Sequence, residues 1–170
     1  LYFFEVMYLF AKSKKLASAI AIQINAEAED NEQSRCGDFN GQTIKAGRLP
    51  SLPNSSCNVT FEVMSHADDK IRIWLAAVDR SNANTPTQLL KNGAEIAPGQ
   101  QFFTPAVTMN SSDFDLIAAI SDRDDAAWRS WFDNLVDADS IETADLEIDR
   151  LTSTGVGIFQ ARWRPYKELD

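Results

Sequence analysis

Residues that usually carry chemistry are scarce in this chain. Of its 170 residues one is histidine and two are cysteine, too few for an ordinary structural zinc site, which takes four Cys or His ligands. Positive charge is short as well: 16 Lys and Arg against 25 Asp and Glu give a formal net charge of -9. Neutralising phosphates takes a basic surface, so no nucleic acid is expected as a partner, and an anionic membrane surface is disfavoured on the same ground. No apolar run reaches the roughly 20 residues of a membrane-spanning helix. A Gly-rich phosphate loop, a GxGxxG after a strand and an HExxH helix are all missing. Motifs therefore assign no catalytic, cofactor-binding or metal-binding residue, and no cofactor is expected. What remains is a globular composition, 44% hydrophobic and 24% charged, at a length that suits one domain.

The first 28 residues read as a signal peptide, with Met7 as an attractive start. Lys12, Lys14 and Lys15 precede the apolar stretch Leu16-Ala17-Ser18-Ala19-Ile20-Ala21-Ile22, and small residues two apart end at Ala28, the layout of a secretory leader cleaved after Ala28. Gln23 and Asn25 weaken its apolar core. The alternative is an amphipathic N-terminal helix. Leu1-Tyr2-Phe3-Phe4-Glu5 also resembles the start of a mature type IV pilin, in which a long apolar helix follows the glutamate. Here the lysines interrupt it after about ten residues, too few to cross a bilayer.

Cys36 and Cys57 both lie in Gly-, Pro-, Ser- and Asn-rich text. In an exported chain an even count in such text favours a disulfide, which would close a loop of about twenty residues and contribute roughly 3 kcal/mol. In a cytosolic chain they would be two free thiols. Neither cysteine follows the small apolar run that a lipid attachment site needs. A periplasmic or secreted location is the expectation.

Residues 29–57 show little periodicity and read as an irregular segment leading into the domain. From Asn58 the pattern is that of strands. Val59, Phe61 and Val63 alternate with Thr60, Glu62 and Met64, and residues 71–78 form a more continuous apolar run. The two are expected to pair as a hairpin about the turn at Ala67-Asp68-Asp69. Short strands are expected at 88–90 and 102–105, with turns at Asn92-Gly93 and Pro98-Gly99, and a longer strand over 113–120. The period then changes. Trp128, Trp131, Phe132, Leu135 and Val136 lie on one helical stripe, preceded by Ser121 or Asp122 as a cap and by Asp124 and Asp125 at the positive end of the dipole. An acidic linker over 137–145 and a hairpin of 146–151 with 156–163, turning at 152–155, complete the reading.

Each candidate for chemistry has a plainer counterpart. His66 beside Asp68 and Asp69 has the residue types of an oriented general base, but a lone histidine in a turn is usually only solvated. Gln33-Ser34-Arg35-Cys36-Gly37 is similar to the cysteine loop of caspase-like peptidases, yet here the histidine follows the cysteine. Asp122-Arg123-Asp124-Asp125 and Asp137-Ala138-Asp139 suggest calcium, although Ile141 and Ile148 fall where a calcium loop needs oxygen ligands. Asn54, Asn58 and Asn110 head N-glycosylation triplets. Trp74, Trp128 and Trp131 read as core. Trp163, between Arg162 and Arg164, is the best placed of the four tryptophans to form a ligand surface.

Over 57–121 the order of features resembles a bacterial β-sandwich domain of unknown function that is found appended to caspase-like peptidases and envelope proteins. The matching text is Asn58-Val59-Thr60-Phe61-Glu62-Val63, the strand from Ile71 to Asp79, Gln88-Leu89-Leu90-Lys91-Asn92, Ile96-Ala97-Pro98-Gly99-Gln100 and Phe114-Asp115-Leu116-Ile117-Ala118-Ala119. Lys91 stands where that family has proline and Leu90 where it has an aromatic. The resemblance implies an accessory or interaction domain and carries no catalytic residue. The stretch from Asp115 to Arg129 is similar to a strand end in the transthyretin-like lipoproteins of type VI secretion, which implies an assembly subunit.

These readings predict a mainly β fold: an antiparallel β-sandwich over 58–170 with one prominent amphipathic helix near 122–136, α+β being the alternative. The expected function is an exported accessory or binding module of the bacterial envelope with a protein partner. The alternatives are a small hydrolase using loop carboxylates and a secretion-system assembly subunit.

Overall fold

The computed structural model describes residues 2–28, 36, 40–44, 47–48, 57–79, 85–90, 93–109, 114–124 and 126–163. Helix α1 (Tyr2–Ala17) is followed by strands β1 (Ile20–Ala28), β2 (Thr43–Ile44), β3 (Gly47–Arg48), β4 (Cys57–Ser65), β5 (Ile71–Asp79), β6 (Thr85–Gln88), β7 (Ala94–Ile96), β8 (Gln101–Phe103), β9 (Val107–Met109) and β10 (Phe114–Ser121). Helices α2 (Ala126–Val136) and α3 (Ile141–Ser153) and strand β11 (Gly157–Trp163) complete the order. The fold is rich in strand, with two antiparallel sheets and three helices among the described residues.

In the first sheet, β1 pairs with β4 along its whole length, Ile22 opposite Val63 and Ile24 opposite Phe61. β2 flanks β1, and both β8 and β9 lie along the other side of β4. Between β8 and β9, Thr104 keeps the ladder going: its N–H donates to the Phe61 carbonyl and its Oγ1 accepts from the Phe61 N–H, both at 2.9 Å. Side chains alternate across a strand. Cys57, Val59, Phe61, Val63 and Ser65 are accordingly buried, and the residues between them are half-buried.

The second sheet runs β3-β11-β10-β5-β6, with β7 also on β5. Its pairs are antiparallel except the two-residue match of β3 with β11. One face of β5 and β10 supplies Ile73, Leu75, Leu116, Ala118 and Ile120 to a cluster that also holds Ile22, Ile24, Phe61 and Val63 of the first sheet. The other face supplies Trp74, Ala76, Val78, Ile117 and Ala119 to a second cluster with Trp128, Phe132, Leu135 and Val136 of α2 and Leu151 of α3. Strands buried on both faces read as continuous apolar runs, which accounts for the runs of β5 and β10. Trp74 and Trp128 meet edge to face with centroids 4.1 Å apart. Gly93, at φ +74, lies so close to Trp74 that a Cβ there would come within 2.6 Å of the ring.

Local chemistry sets the helix ends. The α2 stripe read from sequence is the one that is buried, with Trp131 at its margin. Ser140 caps α3, its Oγ accepting from the Thr143 N–H at 3.2 Å. The far end closes as a Schellman motif: Val156 N–H donates to the Leu151 carbonyl and Gly155 N–H to that of Thr152, with Gly155 at φ +85 and the buried pair Leu151 and Val156 completing it.

Several sequence expectations are corrected. β4 and β5 do not form a hairpin: residues 66–70 carry the chain from one sheet to the other, because the edges of β4 are taken by β1, β8 and β9. Residues 137–145 and 146–151 are not a linker and a strand. From Ile141 they belong to α3, and β11 pairs instead with β10 and β3. Within 29–57, the pairs at β2 and β3 reach the edges of the two sheets in turn. Residues 2–17 form α1, and Ile20–Ala28 is a central strand. Gln23 and Asn25, which look like flaws in a leader's apolar core, are the outward positions of a strand whose Ile20, Ile22, Ile24 and Ala26 are buried.

Candidate functional site

A surface cleft forms where α1 passes the connection from β4 to β5. Its position follows from how the second half of α1 docks. Leu16 joins the core shared by the two sheets, and Ser13 Oγ donates to the Val156 carbonyl at 2.7 Å. Gly157 lets the helix end lie flush on β11, since a Cβ there would stand 2.6 Å from the Ala17 nitrogen. The connection is tied to the same place: His66 N–H donates to the Ala19 carbonyl at 2.6 Å, and Ser65 Oγ accepts from Ala67 N–H at 3.1 Å.

The cleft has a volume of ≈ 610 Å³ and is lined by Tyr8, Ala11, Lys12, Lys15 and Leu16 of α1, by residues 18 and 19, by 66–71 and by Asp122. Lys12, Lys15 and Lys70 thus face Asp68, Asp69, Asp122 and His66 around a floor that includes Leu16 and Ile71. Lys12 Nζ lies 2.7 Å from Asp122 Oδ2, which joins α1 to the end of β10 and engages that carboxylate in an ion pair. Lys70 reaches toward Glu95 at 3.9 Å, an exposed and weak pair. The cleft mixes an apolar floor with both signs of charge.

Sequence reasoning singled out His66, Asp68 and Asp69, and all three are exposed and line this cleft. It missed Tyr8, Lys12 and Lys15 by reading them as part of a leader. The signal available was the spacing of Leu9, Ser13 and Leu16 on one helical face. Cys36 and Cys57 are joined as a disulfide with Cα atoms 5.8 Å apart, and both are fully buried. Trp74 and Trp128 are core residues, as read. Arg162 and Trp163 are placed in β11 opposite Asp115 and Phe114, whereas their side chains and all of Arg164 lie outside the described residues, so the ligand surface expected there lies outside them too. Asp124 is bonded to Arg129 at 2.8 Å, and Asp125 falls outside the described residues. Asn58 accepts from Thr108 Oγ1 at 3.0 Å; Asn54 and Asn110 fall outside. Among the described residues no three His, Cys, Asp or Glu side chains gather as an ion-holding group. None of their helices is long and apolar enough to cross a membrane.

Among the described residues, two buried polar atoms have no hydrogen-bond partner: Trp128 Nε1 and Glu147 Oε2. The other oxygen of Glu147 is 3.3 Å from Arg150. Both atoms lie in helices α2 and α3, and neither residue lines the cleft.

Comparison with known protein families, with curated proteins and with solved structures finds no significant match to this chain.

Proposed function

We propose that this protein is an exported binding or accessory module of the bacterial envelope, built on a sandwich of its two sheets and taking a protein segment in the cleft beside α1. The observation that carries the reading is the make-up of the cleft. It is open and apolar at its floor, and Asp122 is engaged by Lys12 at 2.7 Å. A carboxylate so paired is better suited to fixing the wall of a binding surface than to accepting a proton from a substrate. The core shared by the two sheets supports the sandwich. The disulfide supports export, since such bonds persist in oxidising compartments. The accessory role is also what the resemblance over 57–121 implies.

Photo-crosslinking tests the reading. The full chain, produced in a bacterial periplasm, carries a photoreactive residue at His66 or, as a control, at the exposed Phe103. A discrete protein adduct from position 66 and none from position 103 is expected. Equal labelling from both positions would count against the cleft as the binding surface.

One observation favours a second reading: His66 and three aspartates line the same cleft, which is the material of a small hydrolase. Turnover of ester, glycoside or peptide substrates that disappears in both His66→Ala and Asp122→Asn would establish it in place of the binding module.

A further inference from the structure

The first half of α1 turns its apolar side chains outward. Phe3, Phe4, Met7 and Tyr8 are 68%, 76%, 56% and 65% exposed, and Phe10 is exposed as well. Single exposed apolar residues are ordinary, but a contiguous group of five marks a surface that meets something. Helical spacing shows how the group is ordered. Residues three and four apart stack along one face, so Phe3, Met7, Phe10 and Lys14 form one ridge, and Phe4, Tyr8, Ala11 and Lys15 form the next. The docked face is the opposite one, running through Leu9, Ser13 and Leu16. Leu9 faces Gly155, Ser13 bonds Val156, and Leu16 enters the core. Glu5, the only carboxylate of α1, is four residues before Leu9 and falls on that side, away from the aromatic ridges.

Both outward ridges therefore pass from aromatic residues into a lysine. Lys12 is occupied by Asp122, whereas Lys14 and Lys15 are exposed and make no ion pair among the described residues. We propose that this face of α1 is a membrane-docking surface, which beds Phe3, Phe4, Met7, Tyr8 and Phe10 in the acyl boundary of an anionic bilayer with Lys14 and Lys15 against its headgroups. Charge complementarity selects this occupant. Aromatic and apolar side chains beside free lysines are what an interfacial helix presents to anionic lipid. Charge acts within about a Debye length of 8–10 Å, so what counts beside the net charge of -9 is the local set: α1 carries three lysines against one glutamate, Asp122 is paired with Lys12, Lys15 and Lys70 share the cleft with Asp68 and Asp69, and Lys14 lies outside that cleft. The inference does not depend on what the cleft binds, although Tyr8 and Lys15 also line that cleft.

Co-sedimentation with vesicles tests it, using the full chain, vesicles of phosphatidylcholine alone, and vesicles with 30% phosphatidylglycerol. The wild type is expected to sediment with the anionic vesicles and to be released by high salt. Phe3→Ser with Phe4→Ser should weaken partitioning at least tenfold. Lys14→Glu with Lys15→Glu should weaken it by a similar factor and remove the preference for phosphatidylglycerol. All four positions are exposed, so circular dichroism and the unfolding midpoint should match the wild type. Absence of vesicle binding by the wild type, or binding unchanged in both double variants, overturns the proposal. So does a concentration-dependent dimer that Phe3→Ser with Phe4→Ser dissociates while lipid has no effect, for the face would then serve a second copy of the chain.

Discussion

The two sheets solve the same problem in different ways. In β4 of the first sheet the buried and half-buried residues alternate strictly. In β5 of the second, every residue from Ile71 to Val78 except Arg72 is buried, because the first cluster takes one face and α2 and α3 take the other. Alternation records a strand with one face on the core, and a continuous apolar run records a strand covered twice. The small residues Ala76 and Ala119 are what let a helix come down on the covered face. The lesson concerns tolerance: outward positions of the first sheet are surface, and the equivalent positions of the second are interior.

Removing residues 1–28 should have the largest effect on this contrast. It deletes β1, which among the described residues alone pairs with β4 along its whole length, and exposes Phe61 and Val63 on that side. The truncated chain should give no cooperative thermal transition by circular dichroism, and a two-state transition near that of the full chain would show that the first sheet does not need β1. Next comes a direct pair of substitutions at non-core positions of the two sheets. Ala76→Lys puts a charge into a fully buried site and should cost about 4 kcal/mol or more, whereas Thr60→Lys on the half-buried face of β4 should cost about 1 kcal/mol or less. Equal costs in urea unfolding would mean that α2 does not cover the second sheet in solution. A smaller effect is expected at the disulfide. Cys36→Ser with Cys57→Ser should lower stability by about 3 kcal/mol, and dithiothreitol should lower the wild type to a similar level while leaving the variant unchanged.

Legibility in sequence followed the same contrast. The strands β4, β5 and β10 and the stripe of α2 are written in short-range patterns, because each buries a face that its own period defines. The disulfide was legible from an even count in turn-rich text. Three features were not. α3 was read partly as a strand, since Leu146, Ile148 and Leu151 do not separate a helix from a short β run; Ser140 and Gly155, which end the helix, looked like loop residues. β1 was hidden because a strand alternating small apolar and polar residues after three lysines looks like a leader. The cleft was half legible. His66 and its aspartates were visible as a group, but Lys12, Lys15 and Asp122 come from elements far apart in sequence that only docking brings together.

By itself the sequence determined which segments are strand or helix wherever one face is consistently apolar, and that two cysteines in turn-rich text would join. Those properties are set by side-chain period and local backbone chemistry, which act over a few residues. The tertiary structure alone decided that β4 and β5 belong to different sheets, that α1 lies on β11 through Gly157, and that a helix with an outward aromatic face stands beside the cleft. Such outcomes depend on which edges are already paired and which surfaces meet, and neither is set by any one segment.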